Sequence, residues 1–262
     1  MELYIFTLIL ITIYGIIFGS FINAWVWRTS QDLSVAKGRS KCPNCSHTLV
    51  WYDLVPVLSY VFLRGKCRYC HKHISAQYPV VEACTGALFA LLYIFASPAT
   101  LYTWIQLVLL LAISILLISA FIYDAKYMLL PEKFMLPAIA MGIASMGLKA
   151  FEYGWDSLAP QLVGLGVAVL AYTALWYFSR GKWLGAGDIR IVAIMGLLLE
   201  PKQLIVALFF SYLVGAIYGV YVLRRSSKKR GVRVPFGPFL IIGLYIGLFA
   251  GNAIANWYLG LL

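Results

Sequence analysis

Apolar runs of about twenty residues recur about eight times along this chain, and no other feature restricts its fold as strongly. Lipid offers the backbone no hydrogen-bond partner, so a run that crosses a bilayer satisfies its own N–H and C=O groups as a helix. About 20 residues at 1.5 Å rise are enough to cross. The runs fall near 3–27, 78–96, 101–123, 134–151, 158–178, 183–199 and 204–223, and a last one ends near 259. With 62% hydrophobic residues, 12% charged residues and a mean hydropathy of +0.85, a water-soluble fold is excluded. The expectation is an all-α polytopic integral membrane protein of about eight transmembrane helices. The first run carries no small-residue cleavage signal and reads as a retained anchor.

The formal charge of +11 raises the question of nucleic acid, and its placement answers it. If the runs alternate across the membrane, nineteen of the 21 Lys and Arg residues share one side; Lys149 and Lys202 occupy the other. The positive-inside rule then puts the amino and carboxyl termini outside, and the one substantial polar insertion, residues 28–77, in the cytoplasm. The charge is thus a topology signal and no nucleic-acid partner is expected. The run Arg224, Arg225, Lys228, Lys229, Arg230, Arg233 reads either as the stop of the seventh segment or as a grip on anionic membrane lipids.

Within this topology two acids stand out. Asp188 closes Gly185-Ala186-Gly187-Asp188, and a sixth helix long enough to span must start near Trp183, which draws that carboxylate inside the hydrocarbon edge. Such a carboxylate costs roughly 2.5–3.5 kcal/mol on insertion scales and calls for a partner. Asp124 leaves the third segment on the same side. The flanking glycines are expected to let another backbone approach closely. Two carboxylates in a partly dehydrated site do not both ionise. One can take a proton from water while the other donates to a carbonyl oxygen, the general acid–base arrangement for peptide cleavage. The bland alternative is that each Asp is an interface residue reaching the headgroups.

The insertion carries Cys42-Pro43-Asn44-Cys45 and Cys67-Arg68-Tyr69-Cys70, 21 residues apart. Two such knuckles form a four-thiolate pattern that favours structural zinc, and a reducing cytoplasm disfavours disulfides. His47, His71 and His73 read as surface residues, and Cys84 as a small core residue. Glu82 and Asn23 are costly against lipid and are expected to face the bundle interior. No internal repeat is evident.

With these residues in place the chain resembles the type IV prepilin peptidases, bifunctional leader peptidases and N-methyltransferases. The resemblance rests on Gly19-Ser20-Phe21-Ile22-Asn23, the two knuckles, Trp51-Tyr52-Asp53, Pro56-Val57-Leu58-Ser59-Tyr60 and Arg64-Gly65-Lys66-Cys67. It extends to Tyr78-Pro79-Val80-Val81-Glu82, Asp124 with Pro131, the Gly185–Asp188 motif and Pro235-Phe236-Gly237-Pro238. Where the family has Pro-Asp, this chain has Pro131-Glu132. The resemblance implies Asp124 and Asp188 as the catalytic pair of a G-x-G-D intramembrane aspartyl protease. It implies as substrates type IV prepilins or type II secretion pseudopilins, with a basic leader and a Gly before the cut. It also implies S-adenosylmethionine as methyl donor, with Glu82 as a candidate for its site, and the bacterial inner membrane as location.

The domain division expected is a first transmembrane helix over 1–27, a zinc-stapled, methyltransferase-associated cytoplasmic domain over 28–77, and a membrane domain with the protease site over 78–262. Alternatives remain at this stage. One is a peptidase without methyl transfer, and another is a non-catalytic assembly platform or cation transporter. A transporter places its carboxylates near the bilayer centre, whereas both of these lie at one edge.

Overall fold

The computed structural model describes residues 1–35, 38–225 and 234–261. Of the basic residues weighed above, Lys37, Lys228, Lys229, Arg230 and Arg233 lie outside the described residues. The described residues are helical and contain no extended strand beyond two isolated bridges. The helices are α1 (Glu2–Ser30), α2 (Leu58–Phe62), α3 (Gln77–Ala96), α4 (Leu101–Tyr127), α5 (Glu132–Tyr153), α6 (Ala159–Ser179), α7 (Ala186–Leu198), α8 (Pro201–Arg225) and α9 (Gly237–Leu259).

Their ends follow local chemistry. Ser97 ends α3 in the left-handed region at φ +39, and Pro98 prevents its continuation. Arg180 and Gly181, at φ +51 and +71, end α6 in the same way. Pro131 caps α5, and Pro201 and Pro238 occupy the first turns of α8 and α9, where the missing N–H costs nothing.

Seven of these helices are long and apolar enough to cross a bilayer. The eighth expected crossing is the exception. It starts at Ala186 rather than near Trp183, and its 13 residues reach only about 20 Å, short of the ~30 Å hydrocarbon core. Gly185 takes an extended conformation and becomes the N-cap, which sets Asp188 in the first turn.

The chain divides into two compact units, Met1–Ser119 and Ala120–Leu262, with the division inside α4. In the first unit α1 packs along α3 with Ile22, Phe89 and Leu92 almost wholly buried. The contact is close because Gly19 has no side chain: a Cβ there would lie 2.6 Å from the Glu82 Cα. Asn23, buried at this seam, donates to the carbonyls of Gly19 and Tyr78 and accepts from Gln77. Glu82 is buried there too, so both expected interior residues are inside. Cys84 is not the core residue expected; it is exposed on the outer face of α3, where its neighbour Thr85 turns inward instead.

In the second unit α7 is packed against α5, α6 and α9. Ile191, Val192, Ile194 and Met195 have no exposed surface, the pattern of a helix buried on all sides. The shortest helix of this unit is therefore its core, and the first turn of that helix carries Asp188.

Candidate active site

Asp124 lies one turn before the end of α4 and is 5% exposed; Asp188 is 6% exposed. Each carboxylate is held by one backbone N–H. Gly185 N–H donates to Asp188 Oδ2 at 3.0 Å, closing half of a capping box at the start of α7. Gly237 N–H, in the first turn of α9, donates to Asp124 Oδ2 at 3.1 Å. Asp188 thus sits at the N-terminus of its own helix, and Asp124, in the last turn of α4, faces the N-terminus of α9, where free N–H groups favour negative charge. The two carboxylates are within electrostatic range of each other inside the same unit. The structure brings together the two acids that the sequence singled out.

The glycines around them have separate tasks. A Cβ on Gly237 would lie 2.6 Å from Asp124 Oδ2 and 3.2 Å from Ile191 Cδ1, so only glycine lets α9 start against both Asp124 and α7. A Cβ on Gly187 would lie 2.8 Å from the Leu130 side chain. Gly185 is not crowded, since a Cβ there would make ordinary contact with Asp188 Oδ2 at 3.4 Å. The close neighbour of this motif is therefore the Leu130 side chain rather than a second backbone. Glu132 accepts from Arg190 at 2.7 Å, tying the start of α5 to α7 two residues beyond Asp188. The longer acid after Pro131 finds its partner there.

In the first unit the four cysteine sulfurs lie within 4.8 Å of one another, with Cys42 Sγ and Cys70 Sγ at 3.9 Å. A tetrahedral zinc with ~2.3 Å bonds separates its sulfurs by about 3.8 Å, so the donor set fits a closed four-thiolate site. His47, His71 and His73 are exposed, and none joins the cluster.

The knuckles also correct the expectation of no internal repeat. Cys42 N–H bonds His47 O as Cys67 N–H bonds Lys72 O, and Leu49 N–H bonds Ser40 O as Ile74 N–H bonds Gly65 O. The bridges Lys41–Thr48 and Lys66–His73 match, as do the left-handed Ser46 and His71. One fold is used twice, and the shared Lys-Cys-x-x-Cys was its signal. Burial raises the Cys42 thiol, but N–H groups of Cys45 and Asn44 and the neighbouring thiols outweigh it, lowering the thiol to about 7 and readying a thiolate for metal.

Asp53 joins the second knuckle to the 3₁₀ turn Trp51–Leu54. Its carboxylate accepts from Arg68 Nε at 2.7 Å, Tyr69 Oη at 3.0 Å and Val50 N–H at 3.4 Å. Burial works against its charge, yet Arg68 and Tyr69 hold it below the usual carboxylate range.

Glu82 Oε2 accepts from Val57 N–H at 2.7 Å, and the Ser20 hydroxyl lies beside it. Val57 sits at φ +61, ψ −52, while Leu58 N–H reaches Pro56 O at 2.6 Å: a γ-turn, strained for a β-branched residue. Glu82 is therefore a clamp on the turn of the insertion. Ser20 also lines a 230 Å³ cavity, together with Phe21, Ala24, Arg28, Val35 and Leu54 among others. Spacing alone did not reveal the tasks of Gly237, Asp53 and Val57, although each lies in a motif that carried the resemblance.

The chain matches the sequence model of the bacterial peptidase A24 N-terminal domain over residues 13–96 and that of the type IV leader peptidase family over 110–220. A prepilin leader peptidase/N-methyltransferase of Bacillus subtilis is 33% identical over 251 residues, covering 94% of this chain and 96% of that protein. Proteins of the same name from Legionella pneumophila and Myxococcus xanthus are 36% and 35% identical, covering 85% and 82% of this chain. The chain spans 76% of the Legionella protein and 63% of the Myxococcus protein. No solved structure matches.

Proposed function

The chain belongs to the type IV leader peptidase family and carries its prepilin leader peptidase and N-methyltransferase activities, and from that premise we propose that Asp124 and Asp188 are the catalytic pair. The ionised carboxylate takes a proton from water, whose oxygen attacks the scissile carbonyl, while the protonated one donates to the carbonyl oxygen. The C–N bond then breaks and the proton leaves with the new amine. The observation that carries this is the matched setting of the two acids. Each is buried, held by one backbone N–H at a helix start, and within electrostatic range of the other.

The chain resides in the inner membrane with residues 28–77 in the cytoplasm and both termini outside, the short α7 serving as the eighth crossing inside its wall of protein. The substrate is a type IV prepilin or pseudopilin. Its basic leader stays in the cytoplasm and its apolar helix enters the lipid, so the bond after the leader glycine arrives at the depth of the two acids. Residues 28–77 serve methyl transfer, with Cys42, Cys45, Cys67 and Cys70 holding a structural zinc that staples a small domain. The membrane domain over 78–262 carries the peptidase. S-adenosylmethionine supplies the methyl group to the new amine. We assign its site to the neighbourhood of Glu82, whose neighbour Ser20 lines a cavity.

Purified protein incubated with a synthetic prepilin and S-adenosylmethionine tests this. Asp124→Asn and Asp188→Asn are each expected to abolish cleavage, yet both still methylate a pre-cleaved pilin, read as one added methyl by mass. Full cleavage by both variants overturns the assignment.

A further inference from the structure

Tyr172 lies on α6, two turns before its end at Ser179, and is 4% exposed. Its hydroxyl is buried and makes no well-formed hydrogen bond among the described residues, although the Tyr212 phenol approaches it. Buried polar groups seldom stay unpaired, because the lost hydration is not replaced. The phenol lies within electrostatic range of Asp188 and beside the phenol of Tyr212. An aromatic row continues from it: the Tyr172 and Tyr212 rings are 6.4 Å apart, and those of Tyr212 and Phe236 5.2 Å. Phe236 is the N-cap of α9, directly before the Gly237 whose N–H holds Asp124. The phenol is therefore within range of Asp188 and linked by an aromatic row to the start of α9, which holds Asp124.

A peptide bond cut within the hydrocarbon edge must be unwound, and its carbonyl then lacks an intrahelical donor. The two N–H groups that point at the acids, those of Gly185 and Gly237, are already bonded to them. Tyr172 is a buried donor within electrostatic range of Asp188 that makes no well-formed hydrogen bond among the described residues. We propose that Tyr172 is a substrate-binding residue of the peptidase, its phenol O–H donating to the carbonyl oxygen of the scissile bond. The hydrogen bond strengthens as water adds to the carbonyl carbon and charge grows on that oxygen, and the phenol keeps its proton throughout. The inference rests on the aspartyl reading above.

The test compares full-length wild type, Tyr172→Phe and Asp188→Asn on one prepilin, with thermal unfolding measured in parallel. Tyr172→Phe keeps the ring and deletes only the unpaired oxygen. It is expected to melt at or above the wild-type temperature while kcat falls about 100-fold and KM changes little. A merely structural phenol predicts unchanged kcat in Tyr172→Phe, or a loss that tracks a lower melting temperature. Either result, with Asp188→Asn inactive, overturns the role of Tyr172 alone. Full cleavage by Asp188→Asn overturns the aspartyl reading instead.

Discussion

Gly237→Ala tests whether the start of α9 positions Asp124. The added Cβ would sit 2.6 Å from Asp124 Oδ2, where ordinary contact begins at 3.4 Å, so the carboxylate has to retreat by about 0.8 Å. It cannot retreat without weakening the 3.1 Å bond from Gly237 N–H. A hydrogen bond to a charged group contributes about 1.5–3 kcal/mol, and each 1.36 kcal/mol of barrier is about tenfold in rate. The expected fall in kcat/KM is therefore about 10- to 100-fold, in keeping with the cost of displacing a reacting group by about 1 Å. The assay is leader removal from a synthetic prepilin by purified protein, read by mass, with thermal unfolding as the fold control. Gly166→Ala is the comparison, because nothing lies within 4 Å of a Cβ on that α6 residue. Wild-type kcat/KM in a folded Gly237→Ala protein would refute the reasoning, since a displaced Asp124 could not then matter to cleavage.

Metal analysis is expected to find about one zinc per chain, and chelation or serine at the four cysteines should increase hydrogen exchange over 40–74 and reduce methylation more than cleavage; an equal loss of both activities would contradict the division of labour. Asp53→Asn should loosen the same insertion at neutral pH. Because the folded carboxyl titrates below its ordinary value of 3.8, its stabilisation is present above that value and is lost as pH falls through the lower folded one. The difference between Asp53→Asn and wild type should accordingly shrink below pH 3.8, and a constant difference would show that charge is not the cause.

The apolar runs, their breaks and the Cys-x-x-Cys spacing could be read without coordinates because their causes are local. Backbone in lipid must be helical, Ser97-Pro98 and Glu200-Pro201 interrupt helices by their own covalent geometry, and thiolates in pairs prefer one metal. The notable acids were legible because burying a carboxylate is costly wherever it occurs. The sixth segment showed the limit of such reasoning. Hydropathy extended it to Trp183, but its wall is protein, so a 13-residue helix surrounded by α5, α6 and α9 need not match the thickness of lipid.

Only the tertiary structure decided what each remaining residue faces. Gly237 lies 113 residues beyond the Asp124 it holds, and Glu82 is 25 residues from the Val57 turn it clamps. Tyr172 looks like any aromatic in an apolar run until the fold buries its hydroxyl within electrostatic range of Asp188, with no well-formed hydrogen bond among the described residues. Sequence shows which groups are costly to bury, through local composition and periodicity. Which group relieves that cost depends on contacts between distant segments, and those exist only once the helices have packed.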